Sequence, residues 1–155
     1  MPLTDVAPIE ATVTIAAPPA KVWSLVSDPR NYARWSPQTA KTFVRGGAVT
    51  EGATMFNINR RGLLVWPTQA RIETVDHERT FAFKVKENWT VWSFNLEETA
   101  DGGTQLTERR DAPKGISDLS VKLTKAVFGG VPAFTDELQR GMEQTLAQIK
   151  VEAEA

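Results

Sequence analysis

Hydrophobic and polar positions change period twice along the chain. Ile9, Ala11, Val13 and Ile15 alternate with Glu10, Thr12 and Thr14, the pattern of a half-buried strand. Pro18 and Pro19 end it, and proline fits the first turn of a helix, where no amide donor is needed. Val22, Leu25 and Val26 follow at helical spacing, with Trp23 beside them. Asp28-Pro29 repeats the start signal, a capping acid before a proline. This second short helix carries Tyr32 and Trp35 and stops at Ser36-Pro37.

From Thr39 to Asp111 the period is mostly two. Phe56 and Ile58 alternate with Met55 and Asn57; Trp66, Thr68, Ala70 and Ile72 with Gln69, Arg71 and Glu73; Phe81, Phe83 and Val85 with Lys84 and Lys86. Trp92, Phe94 and Leu96 alternate with Ser93, Asn95 and Glu97, and Leu106, Glu108 and Arg110 with Thr107 and Arg109. Successive strands with short turns predict an antiparallel meander with one face inward.

Parity limits the register. An Ala100-Asp101-Gly102 loop, with Gly102 in the left-handed conformation, sets Leu96 opposite Leu106, Phe94 opposite Glu108 and Trp92 opposite Arg110. An even loop at Glu87-Asn88 sets Phe83 opposite Trp92 and Phe81 opposite Phe94. From Ile116 the period is helical again, through Leu119, Leu123, Val127 and Phe128. Gly129-Gly130 predicts a break and Pro132 a restart, read either as a static kink or as a moving gate. Leu138, Met142, Leu146 and Ile149 then form one face of a long amphipathic helix.

Composition narrows the function. The chain has 155 residues, which fits one domain, and 41% hydrophobic with 24% charged residues is ordinary for a globular protein. A net charge of −1 gives no electrostatic case for nucleic acid or an anionic membrane. Without cysteine there is no disulfide, thiolate metal site or cysteine nucleophile, which fits a reducing cytoplasm. No signal peptide or membrane-spanning stretch is evident, and the expected localisation is cytoplasmic.

The stretch from Ala16-Ala17-Pro18-Pro19 through Val22-Trp23, Asp28-Pro29, Tyr32 and Trp35 resembles the opening of the START-like or SRPBCC superfamily. Together with Thr107-Glu108-Arg109-Arg110-Asp111 before a terminal helix, it is most similar to the polyketide cyclase/dehydrase-like branch. The resemblance implies one α+β domain over residues 1–155, with 1–8 as a flexible N-terminus. The implied helix-grip fold has a curved seven-stranded antiparallel sheet wrapped around a long C-terminal helix, with a cavity between them. Relatives include lipid and hormone binders, aromatase/cyclases and chaperone partners, so function has to come from the site.

On that fold Trp66, Phe81, Phe83, Trp92 and Phe94 read as cavity lining, or as solid core. Glu108 and Arg110 share the inward face of Leu106; they read as an anchor for a ligand carbonyl, hydroxyl or carboxylate, or as a structural ion pair. Arg110 is also placed to stack on Trp92. Arg60 offers a second anchor or a solvent charge beside a turn, and Tyr32 a packing ring with a hydroxyl. His77, in a hairpin turn, is expected in solvent.

Sequence neighbours Asp76, His77 and Glu78 point to opposite sides of a strand, so no metal site is expected. No nucleophile elbow, phosphate loop or dinucleotide fingerprint appears, so no catalytic residue or cofactor is assigned. The expected function is binding of a small hydrophobic molecule, a lipid or polyketide-like aromatic, by a monomer or weak dimer. An aromatase/cyclase-type enzyme and a protein-interaction module are the alternatives; the sequence offers no large exposed apolar stripe for the latter.

Overall fold

The computed structural model describes residues 6–113, 115, 120 and 131–155. The expected break at Gly129-Gly130 and the apolar series from Ile116 to Phe128 lie outside the described residues. Strand β1 (Ile9–Ile15) leads into helix α1 (Pro19–Val26) and a 3₁₀ helix (Pro29–Arg34). Six strands follow: β2 (Thr39–Val44), β3 (Thr54–Arg61), β4 (Leu64–Asp76), β5 (Thr80–Val85), β6 (Val91–Glu98) and β7 (Thr104–Asp111). Helix α2 (Val131–Glu154) ends the order. The strands form one antiparallel sheet in the order β1-β7-β6-β5-β4-β3-β2, so the first strand closes beside the last.

Both prolines do what their positions predict. Pro19 opens α1, and Pro29 opens the next turn behind Asp28, whose carboxylate accepts from the Arg30 amide at 3.0 Å. That second element is a 3₁₀ helix, a geometry common in pieces this short. On α2, Leu138, Met142, Leu146 and Ile149 are all buried, as their spacing predicts. Glu152 fixes the far end of this helix: it accepts from the Trp35 indole N–H at 2.9 Å and from Arg34 at 2.9 and 3.0 Å.

The registers on the β5–β6–β7 side match those read from parity. Leu96 faces Leu106, Phe94 faces Glu108 and Trp92 faces Arg110, while Phe83 faces Trp92 and Phe81 faces Phe94. The β6–β7 loop turns through Gly102, at φ 84°. Its neighbour Gly103 is needed for space: a Cβ there would stand 2.7 Å from the Ile15 carbonyl oxygen. Gly103→Ala should therefore lose about 1–3 kcal/mol by overpacking, read by urea unfolding.

Two expectations need correction. The β5–β6 loop is even but longer than Glu87-Asn88. Val85 bonds Thr90, so Lys86 to Trp89 form the turn, and Trp89 closes it at φ 67°. In β3 the phase is inverted: Met55 and Asn57 are buried, whereas Phe56 and Ile58 are partly exposed. Pairing of Met55 with Ala70, Asn57 with Thr68 and Asn59 with Trp66 puts the odd-numbered residues on the inner face.

Pro67 sits in the long strand β4 without breaking it. Strand β5 ends at Val85, opposite Ala70, so the start of β4 is open on that side and a missing amide donor costs nothing there. The first free amide beyond it, Gln69, donates to the Glu87 carboxylate at 2.7 Å.

Candidate ligand site

Helix α2 covers the closed end of the sheet and leaves a cleft at the other. The outer part has a volume of about 470 Å³. Its walls come from Ser36–Gln38, the β3–β4 hairpin at Arg60–Gly62, and α2 from Glu137 to Thr145. The inner part, about 140 Å³, lies against the sheet. Both parts share Ser36, Gln38, Trp92, Glu108, Leu138 and Thr145 on their walls. Across the mouth, Arg61 on the hairpin holds Glu137 on α2 at 2.9 Å.

Alternation on each strand decides what faces inward. Strand β5 presents Phe83 and Val85, β6 presents Trp92 and Phe94, and β4 presents Trp66 and Thr68. Tyr32, from the 3₁₀ helix, stacks its ring 5.4 Å from Phe94 and 6.1 Å from Phe83. Its hydroxyl is already committed, donating to the Val26 carbonyl at 2.9 Å. Burial, then the nearby Glu108 and Asp28 carboxylates, hold that phenol well above its usual range, so it keeps its proton.

Phe81 does not line the cleft. It is fully buried in the core next to Phe83, 6.5 Å between ring centres. Arg60 is exposed and stands on the outer wall only. The other residues expected as lining, Trp66, Phe83, Trp92, Phe94, Glu108, Arg110 and Tyr32, all meet at the inner part.

Glu108 and Arg110 are the unusual groups. They are 8% and 6% exposed, and neither forms an ion pair or hydrogen bond with a side chain among the described residues. Glu108 Oε1 and Arg110 Nε are buried with no hydrogen-bond partner. The expected ion pair between them is absent. The spacing itself allows such a pair, since Arg109 and Asp111, also two apart on this strand, meet at 2.7 Å; on the inner face the directions of the two side chains keep the charged ends apart.

The expected stack of Arg110 on Trp92 is absent too. Among the described residues the cations over rings are Arg34 on Trp35 at 5.2 Å and Lys41 on Phe43 at 4.9 Å. Trp92 instead donates its indole N–H to Thr90 at 3.2 Å. The outward neighbour Arg109 gives the contrast: it reaches Asp111 at 2.7 Å and Glu10 at 2.9 Å.

Burial acts on both charges. It pushes the Glu108 carboxyl up to about 8 and the Arg110 guanidinium down to about 10. Near neutral pH Glu108 is therefore largely a protonated acid, able to donate, and Arg110 is still a cation. Such a pair offers a donor, an acceptor and a positive charge among the aromatic walls of the inner part.

Several polar lining groups escape the sequence reading. Asn57 Oδ1 accepts from the Thr42 hydroxyl at 2.8 Å; Asn59 donates to the Trp66 carbonyl at 3.3 Å and to Thr68 at 3.0 Å. The available signal was the pair of asparagines two apart in a strand, since a polar residue on an inner face implies a wet cavity. His77 lies in its turn, largely in solvent, its ring edge-on to Trp23 with 5.8 Å between ring centres. The hairpin tip beside the mouth exposes Leu63, Leu64 and Val65, an apolar surface the sequence reading did not anticipate. Among the described residues no acidic or histidine cluster converges to hold a metal ion, and no helix is long and apolar enough to cross a membrane.

The curved sheet, the covering helix and the cleft between them define a helix-grip protein. The chain belongs to the polyketide cyclase / dehydrase and lipid transport family, whose sequence profile matches residues 7–154. Protein CV1439 from Chromobacterium violaceum has a similar structure, with a TM-score of 0.67 at 17% identity, covering 97% of this chain and 99% of that one. The polyketide-cyclase-like protein Cgl2372 from Corynebacterium glutamicum gives 0.58 at 20% identity, covering 95% and 88%. The di-domain ARO/CYC StfQ of the steffimycin biosynthetic pathway gives 0.71 at 12% identity, covering 95% of this chain and 50% of that one. No curated protein is similar enough in sequence to match.

Proposed function

We propose that the protein binds a small, largely apolar molecule carrying an oxygenated group, of the lipid or polyketide-like aromatic kind. The apolar body would lie against Phe83, Trp92, Phe94 and Leu138, with the oxygenated group on Glu108 and Arg110. The observation that carries this reading is the unpartnered Glu108 Oε1 and Arg110 Nε, because buried polar atoms lacking a partner are costly unless something else satisfies them. Apolar burial would supply affinity, at roughly 25 cal/mol per Å² before the costs of ordering. Lack of cysteine fits action in a reducing cytoplasm.

Two-dimensional amide NMR tests this with fatty acids, sterols, flavonoids and tetracycline-like aromatics. One class is expected to shift the indole resonances of Trp66 and Trp92 and the amides of Glu108 and Arg110 at micromolar concentration. If every class leaves those four unmoved, the binding reading fails.

A second reading rests on Glu108 alone. A carboxyl kept protonated near neutral pH is a proton donor, the group an aromatase/cyclase-type reaction would use. The matching observation among relatives is the ARO/CYC fold of StfQ. Incubation with a poly-β-ketone thioester mimic discriminates: a cyclised product supports an enzyme, and unchanged mimic leaves binding alone.

A further inference from the structure

We propose that the ligand is a monoanion, an apolar molecule with a single carboxylate, and that this carboxylate is the missing counter-ion of Arg110. The proposal rests on the binding reading above and adds the charge of the head group to it.

Arginine stays protonated in proteins, so Arg110 brings one positive charge into a space where it is 6% exposed. A buried cation of this kind is costly unless an anion meets it. Among the described residues no carboxylate lies within 4.0 Å of it: the arginine and lysine ion pairs there engage Arg30, Arg34, Arg61, Arg109 and Lys150, not Arg110.

Glu108 does not fill that role. Its Oε1 has no hydrogen-bond partner and does not reach the unpartnered Arg110 Nε, and burial holds it largely protonated at neutral pH. Its described neighbours on the inner walls bring no other charge. Strands β3 to β6 contribute Asn, Thr, Trp, Phe and Val, α2 contributes Phe134, Leu138 and Thr145, and the 3₁₀ helix contributes the protonated Tyr32. Among the described residues the other charges stand at the mouth, where Arg60 and Arg140 join the Arg61–Glu137 pair. The inner part therefore carries a net positive charge, and the mouth leans the same way, which favours entry of an anion.

The two unpartnered atoms then have complementary uses. Arg110 Nε–H donates to one carboxylate oxygen of the ligand, and the protonated Glu108 donates its O–H to the same group. A neutral alcohol or ester satisfies the hydrogen bonds but leaves the cation unpaired. A carboxylate does both. Ionisation of Glu108 at higher pH removes its donor proton and sets a second negative charge against the ligand, so binding weakens as pH rises past about 8.

Three probes with one chain length test this: dodecanoate, dodecan-1-ol and methyl dodecanoate, titrated by calorimetry into the wild-type protein at pH 7. Dodecanoate should bind at least about tenfold tighter than the other two, the usual scale for a charge-assisted hydrogen bond. Arg110→Met should erase that preference while still binding the alcohol, which also reports that the variant is folded. From pH 8 to 9, where Arg110 is still a cation, dodecanoate affinity of the wild type should fall about fivefold, and the profile of Glu108→Gln should be flat. Equal binding of all three probes, or tighter binding of the alcohol or ester, overturns the anion proposal and leaves the cleft as a binding site. If none of the three binds and the NMR panel is also silent, the binding reading itself fails. A dodecanoate profile that does not change above pH 8 removes Glu108 from the head-group site.

Discussion

Urea unfolding should show the ligand-free protein less stable at pH 8 than at pH 5, and Glu108→Gln should remove most of that difference. Glu108 is a carboxyl whose ordinary value near 4.5 is raised to about 8 by burial in the fold. Below pH 4.5 the group is protonated in folded and unfolded chains alike, and it contributes no pH dependence. Between 4.5 and 8 the unfolded chain releases the proton and the folded chain keeps it. Rising pH therefore favours unfolding across this window, and above about 8 the loss is complete. At about 1.4 kcal/mol per pH unit, the gap from 4.5 to about 8 sets an upper limit of roughly 5 kcal/mol. A wild-type stability that is level from pH 5 to 8 relative to Glu108→Gln would mean that water reaches the carboxylate freely. Arg110 titrates too high to contribute in this window.

Phe81→Ala should cost about 3–5 kcal/mol, and Phe83→Ala distinctly less, although the two rings stand two apart on one face of one strand. Phe81 is fully enclosed, so its removal leaves a void that the surrounding core closes only in part. Phe83 borders space that is already empty, so less packing is lost with it. The ligand readout should invert this order: Phe83→Ala alters dodecanoate affinity and Phe81→Ala, once folded, leaves it near wild type. Chemical denaturation and calorimetry on the same two variants decide it. Equal stability losses would place Phe83 in solid core and remove that wall of the cleft.

These two rings also mark where the sequence stops being informative. Alternation places both on the inner face, because period and parity are properties of a strand. Whether an inner position meets a helix or a hollow depends on how α2 crosses the sheet, which no local pattern records. The inward placement of Glu108 and Arg110 followed from parity with Leu106 in the same way. Their failure to pair depends on side-chain direction, which spacing alone does not give.

Turns divide along similar lines. Gly102 advertises the left-handed residue of the β6–β7 loop, and the registers built on it hold. In the β5–β6 loop that conformation is taken by Trp89, a residue that rarely adopts it, so the true loop length carried no sequence signal. In β3, Phe56 and Ile58 are the more apolar pair, yet Met55 and Asn57 face inward. The inner surface near the cleft is partly polar, and hydrophobicity misleads about phase where a core gives way to a cavity.

The pairing of β1 with β7 carries a consequence for the order of events during synthesis. Thr12 and Thr107, joined by their hydroxyls at 3.0 Å across these strands, are 95 residues apart in the chain. At a translation rate of about 5–20 residues per second, β1 leaves the ribosome roughly 5–20 seconds before its partner is made. Its other companion comes later still, since Lys150 reaches the Thr14 carbonyl and Glu154 the Ala16 amide. During that interval β1 is an open template with alternating apolar residues, competent to pair with a neighbouring nascent chain. Refolding from denaturant has no such interval, because every strand is present from the first moment. Yield in a cell should therefore depend on translation speed and on chaperones that shield a lone strand, while refolding yield should depend only on protein concentration.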